Sequence, residues 1–147
     1  MFNMRTLLIS LALCLPVTLS AVPAVPTLPN ITKAELTCLT ENIHYEASGE
    51  PLAGQVLVGK VTLNRKHSGK FANTICGVVY QPKQFSWTIK RRKKPINKIE
   101  WDTAHYAAIS ALVDKRNIPV LYYHNLTVAP AWGRPYLMTV GNHKFYA

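Results

Sequence analysis

A chain of 147 residues, 48% of them hydrophobic, fits one domain and is long enough to bury a core without several disulfides. Its aliphatic and aromatic content excludes a disordered tail or linker, and no multi-pass membrane protein fits this length and pattern. With 17 Lys and Arg against 7 Asp and Glu, the formal charge of +10 points to an anionic partner: nucleic acid, acidic lipid or an acidic cell-surface polymer.

Arg5 is the only charged residue before Lys33, Leu7 to Val22 is apolar, and small residues follow at Ser20, Ala21 and Ala24. This is the pattern of a secretory signal peptide over 1–24. Pro16, Pro23, Pro26 and Pro29 argue against a membrane-spanning helix, with an uncleaved N-terminal anchor as the alternative. Residues 25–32 read as a linker and 33–147 as the folded domain. Removing the signal removes Cys14 and leaves Cys38 and Cys76. In an exported protein such a pair reads as a disulfide, which contributes about 4 kcal/mol by constraining the unfolded chain. Two buried free thiols are the alternative.

Thr32 followed by Glu35 has the spacing of a helix capping box, and Leu36, Leu39, Ile43 and Ala47 then recur at helical spacing. Gly49 stops that helix and Pro51 opens the next, whose Leu52, Val56, Gly59 and Leu63 share one face before it ends near Asn64 and Arg65. Thr74 to Tyr80 reads as a short helix buried through Ile75, Val78 and Val79. Gln81 to Lys98 reads as irregular and basic. Ile99 to Lys115 reads as a third long helix with Trp101, Ala104, Ala108 and Leu112 inward. The period then changes. Val120 to His124 and Leu137 to Val140 read as strands, and Gly141-Asn142 reads as a tight turn into a last strand, His143 to Tyr146. The expected class is α+β, mainly helical, with a small C-terminal sheet.

The densest polar cluster is His44 to Glu50. It places Glu46 in the last turn of one helix and Glu50 at the entry to the next. A carboxylate at a helix C-terminus faces the negative end of the dipole, and partial burial acts in the same direction; both favour the protonated acid. Such an acid suits protonation of a leaving oxygen, as in glycosidic cleavage. From spacing alone, two solvated turn glutamates are the commoner outcome. His44, Glu46, Glu50, His124 and His143 form an alternative metal set, but without an HExxH or CxxC pattern no metal or other cofactor is assigned. The run Lys90, Arg91, Arg92, Lys93, Lys94, near Trp87 and Trp101, suits non-specific attraction to a polyanion, with no specific nucleic-acid recognition.

The stretch from Cys38 to Trp87 resembles the core of the SleB/CwlJ-type cell wall hydrolases, the spore-cortex-lytic-enzyme family. The matching elements include Tyr45-Glu46-Ala47, Gly49-Glu50, Gly54-Gln55, Leu63-Asn64-Arg65, Phe71, Thr74-Ile75-Cys76, Val78-Val79-Tyr80 and Gln84-Phe85-Ser86. Tyr123-His124, Trp132, Gly141, His143 and Phe145-Tyr146 extend the match through the tail. The resemblance implies a lysozyme and lytic-transglycosylase-like fold and cleavage of the N-acetylmuramic acid–N-acetylglucosamine bond of peptidoglycan. It implies Glu46 as the general acid, Glu50 in a supporting role such as a contact to the N-terminus of the next helix, and the Cys38–Cys76 pairing of the family's Gram-negative branch. The chain departs from the family's pattern at Ser48, at Leu121 to His124 and in the added basic segment.

Glu46 has no obvious carboxylate partner among so few acids, so a one-acid mechanism is expected, with lytic transglycosylase chemistry ahead of hydrolysis by a muramidase. Tyr45, Glu50, Gln84, Ser86, Tyr123, His124 and Trp132 are the expected substrate-binding residues, through flat rings and hydrogen-bonding groups. A zinc-dependent cell wall amidase and a non-catalytic peptidoglycan-binding module stand as alternatives. A monomer exported to the periplasm or cell envelope of a Gram-negative bacterium, or encoded by its phage, is the expected setting.

Overall fold

A computed structural model describes residues 29–89 and 97–147. The expected signal peptide, Cys14 and the basic run Lys90 to Lys94 lie outside the described residues. The elements in order are α1 (Lys33–Ala47), α2 (Leu52–His67), α3 (Ile75–Tyr80), α4 (Ser86–Ile89), α5 (Lys98–Val113), β1 (Tyr122–Asn125), β2 (Tyr136–Val140) and β3 (His143–Tyr146). The α+β expectation therefore holds, and residues 86–89 add one helical turn to a stretch expected to be irregular.

Only half of the expected capping box forms. Thr32 Oγ1 accepts from the Glu35 amide at 3.1 Å, but the Glu35 carboxylate turns away and accepts from the Ile75 amide at 2.9 Å. That carboxylate thus serves the N-terminus of α3, where the free amides favour an anion. Beside it, Cys38 and Cys76 stand sulfur to sulfur with their Cα atoms 5.2 Å apart, a separation a disulfide spans. Along α1, Leu39, Ile43 and Ala47 are fully buried and Leu36 partly so.

The single apolar face expected for α2 is replaced by burial around most of the helix. Leu57, Val58, Val61 and Leu63 are buried, but so are Lys60, Thr62 and Arg65, while Leu52 is exposed. The reason is that α2 packs against α1, α3 and α5 together. Three of its polar side chains bind the backbone leading to the sheet. Lys60 Nζ donates to the carbonyls of Asp114 and Arg116, Asn64 Nδ2 to those of Ile118 and Val120, and Arg65 Nε to that of Leu121. The central contact of the three long helices is at Gly59. A Cβ there would stand 2.9 Å from the Ala111 Cβ and 3.1 Å from Ile43 Cδ1. The small face of α5, Ala104, Ala107, Ala108 and Ala111, permits this approach.

The sheet has the order β1-β3-β2, all antiparallel, with Tyr123 opposite Phe145 and His124 opposite Lys144. The expected β2–β3 hairpin forms around Gly141-Asn142. Gly141 has φ +56°, and a Cβ there would fall 2.1 Å from Glu50 Oε2, so only glycine fits. β1 begins at Tyr122 rather than Val120: Val120 is wholly buried and precedes the ladder. The chain from α5 to β1, tied down by α2, delivers Tyr123 to the C-terminal end of α1.

Candidate active site

Glu46 lies in the last turn of α1, half-buried, and lines a cleft of about 340 Å³ with Arg65, Lys83, Gln84, Phe85, Ser86, Ile89 and Tyr123. The Tyr123 hydroxyl donates to Glu46 Oε2 at 2.9 Å. Burial pushes the Glu46 carboxyl above its usual value; the Tyr123 hydrogen bond and the charge of Arg65 oppose this without reversing it. The Tyr123 phenol is itself raised, first by burial and then by the Glu46 carboxylate, so it stays protonated as the donor.

Arg65 is 6% exposed and is held from several sides. Its Nε is bound to the Leu121 carbonyl, its Nη1 lies 3.4 Å from Gln84 Oε1, and its guanidinium sits 4.9 Å from the Phe71 ring centre, 5.4 Å from that of Phe85 and 5.5 Å from that of Tyr122. Burial lowers its pKa from the ordinary guanidinium value.

A second hollow, of about 600 Å³, continues past Tyr123 across β1. Arg65, Lys83, Gln84 and Tyr123 line both spaces, and Phe71, Tyr122, His124, Trp132 and Arg134 complete the second. Lys83, at the junction, has φ +65°, an uncommon backbone for a residue with a side chain. Arg134 lies flat on Tyr122, its Cζ 3.4 Å from the ring centre.

The structure brings together Glu46, Gln84, Ser86 and Tyr123 in the first space, and Tyr123, Gln84, His124 and Trp132 in the second. Both ring nitrogens of His124 are engaged within the protein. Its Nδ1 meets the Asn125 carbonyl at 2.8 Å and so carries the proton, and its Nε2 meets the Tyr146 hydroxyl at 2.9 Å. Two expected residues stand elsewhere. Tyr45 stacks on Trp87 with ring centres 4.6 Å apart and is not among the residues lining either space. Glu50 meets the first turn of α2 through its backbone carbonyl, which accepts from Gln55 Nε2 at 3.0 Å, while its carboxylate accepts from the Asn142 amide at 2.8 Å and from Asn142 Nδ2 at 3.1 Å, holding the β2–β3 turn. Among the described residues no three His, Cys, Asp or Glu side chains converge to hold a metal ion.

Sequence reasoning gave no role to Arg65, Lys83, Tyr122 or Arg134. A signal for Arg65 was present. The helix carrying it has aliphatic residues on most of its circumference, so its polar residues had to be buried too.

Comparison with known proteins gives the family and the fold. The family model described as Cell Wall Hydrolase matches residues 49–146. The spore cortex-lytic enzyme of Bacillus subtilis (strain 168) is 32% identical over 115 residues, covering 76% of this chain and 37% of that enzyme. The enzyme of the same name from Oceanobacillus iheyensis is 29% identical over 137 residues, covering 84% and 45%. The chain therefore spans less than half the length of these relatives. Among solved structures, the catalytic domain of the germination-specific lytic transglycosylase SleB from Bacillus anthracis superposes with a TM-score of 0.65 at 30% identity, covering 81% of this chain and 99% of that one. The catalytic domain of the Bacillus cereus SleB protein gives 0.65 at 31% identity, covering 86% and 100%.

Proposed function

The chain belongs to the cell wall hydrolase family, and from its site we propose that it cleaves the bond between N-acetylmuramic acid and N-acetylglucosamine in peptidoglycan, with Glu46 as both acid and base. The observation that carries this reading is a half-buried carboxyl, held by Tyr123, as the only acidic group lining the two joined spaces among the described residues. Most glycosidases need a second carboxylate, as nucleophile or as base. A site with one favours a path in which the substrate supplies the nucleophile.

In that path protonated Glu46 gives its proton to the glycosidic oxygen as the bond to the muramic acid C1 breaks. The substrate's N-acetyl group stabilises the cation at C1. The Glu46 carboxylate left behind is the form that the Tyr123 hydroxyl and the charge of Arg65 favour. It then takes the proton of the 6-hydroxyl as that oxygen bonds to C1, closing a 1,6-anhydro ring and restoring the acid. Burial thus loads the proton, and Tyr123 and Arg65 ease its departure. The naming of one structural relative as a lytic transglycosylase supports this outcome over hydrolysis by water.

The N-terminal pattern supports export to the cell envelope, with the periplasm as the proposed compartment and a Cys38–Cys76 disulfide formed there. Lys90 to Lys94 are proposed to add attraction to anionic envelope polymers. The test is digestion of purified peptidoglycan, with soluble products read by mass spectrometry. Anhydro-muropeptides are expected; reducing-end products would replace transglycosylation by hydrolysis, and released peptides alone would overturn the glycosidase reading.

A further inference from the structure

The second hollow is more cationic than a neutral sugar requires. Arg65, Lys83 and Arg134 line it and no carboxylate does. Among the described residues none of the three forms an ion pair, and the Arg134 guanidinium donates no hydrogen bond to protein; it rests on the Tyr122 ring with its N–H groups free. Arg65 uses its Nε and Nη1 within the protein, and among the described residues its Nη2 has no acceptor. Arg65 lines the hollow, and its Nη2 is not one of the buried polar atoms lacking a partner. Trp132, edge-on to Tyr122 with ring centres 6.2 Å apart, supplies an exposed aromatic surface beside these cations.

Aromatic faces and amide groups suffice to hold an uncharged hexosamine. Planar guanidinium groups with spare donors match a carboxylate, and stacking on an aromatic ring fixes such a group in place at little entropic cost. A glycan strand lying across Glu46 runs directly into this hollow, because the two spaces share Arg65, Gln84 and Tyr123.

We infer that the hollow floored by Tyr122 and Trp132 is a subsite for a carboxylate-bearing sugar, with Arg134 as the principal contact and Lys83 and Arg65 supporting it. This rests on the peptidoglycan reading above. The carboxylate has two sources on such a strand: the lactyl acid of muramic acid itself, or the peptide attached to it.

The test uses the full chain carrying Glu46→Gln, so that ligands stay intact, with affinity followed by calorimetry. One pair of ligands is a muramic acid-containing tetrasaccharide with free lactyl acids and its methyl amide. The other is the peptide-substituted tetrasaccharide and the same compound with its peptide carboxyls amidated. The charged member of one pair is expected to bind about tenfold tighter than its neutral partner. Arg134→Gln removes that preference without weakening the neutral ligand, and Arg134→Lys retains part of it. The pair showing the preference identifies the source. Equal binding of charged and neutral ligands, or an Arg134→Gln loss shared by both, overturns the inference while wild-type cleavage of peptidoglycan still stands. If no saccharide binds and wild type releases no muropeptides, the peptidoglycan reading fails and the inference with it.

Discussion

Glu46 and Glu50 stand four residues apart across the bend between α1 and α2, yet they face different parts of the molecule. Glu46 points to the cleft, where a tyrosine hydroxyl is its hydrogen-bond donor and burial favours its proton. Glu50 points to the β2–β3 turn, where it accepts from the amide and side chain of Asn142. The same side chain is the proposed acid on one side of the bend and a structural fastener on the other. What separates them is the partner each meets from the C-terminal sheet: a single aromatic hydroxyl for one, two N–H donors for the other.

Exchanging each carboxyl for an uncharged group breaks the comparison most sharply. Glu46→Gln is expected to lower the rate of peptidoglycan solubilisation by about 10²- to 10⁴-fold with the fold intact. Glu50→Ala is expected to lower stability by about 1–2 kcal/mol in urea unfolding, through the lost bonds to Asn142, while turnover of the folded enzyme changes less than about twofold. Gly141→Ala attacks the same fastener from the other side. Its Cβ would occupy the position of the Glu50 carboxylate at a positive φ, so a loss of about 1–3 kcal/mol is expected in the same assay. Turnover that collapses in folded Glu50→Ala would place that residue in the chemistry after all.

Two smaller effects depend on pH. Tyr123→Phe removes a hydrogen bond that favours the Glu46 carboxylate, so the Glu46 pKa rises further. The limb on which activity falls with rising pH then moves to higher pH, and the maximal rate falls by about two- to tenfold. The folded-state pKa of Glu46 is raised above its unfolded value, so the native state holds its proton more tightly than the unfolded chain. Wild type is therefore expected to lose stability relative to Glu46→Gln as pH rises from the ordinary carboxylate value through the raised native one. Below that window both forms are neutral and the difference no longer depends on pH. Parallel melting curves at several pH values measure this; a difference independent of pH contradicts it.

The parts of this account that depend on neighbours in sequence were legible from it. The helix stripe of Leu39, Ile43 and Ala47, the stop at Gly49 and the Gly141-Asn142 hairpin follow from spacing and turn chemistry, and Glu46 stood out through its helix end and its family pattern. The misreadings came from contacts over long sequence distances. Glu35 was expected to close its own capping box and instead serves α3, 40 residues on. Glu50 was expected to serve α2, which its carbonyl does, but its carboxylate holds a turn 92 residues on. The meeting of the cleft cations was hidden for the same reason: Arg65 and Arg134 become neighbours because β1 carries Tyr122 between them. No local pattern records such a meeting.

The central claim is that the cleft raises the affinity of Glu46 for a proton. Carbon-13 NMR titration of glutamate-labelled protein, with Glu46→Gln assigning the signal, measures this directly. A Glu46 midpoint clearly above the ordinary carboxylate value is the predicted result. A midpoint at or below that value would mean that Glu46 is already ionised where it must act as an acid, and would contradict the account.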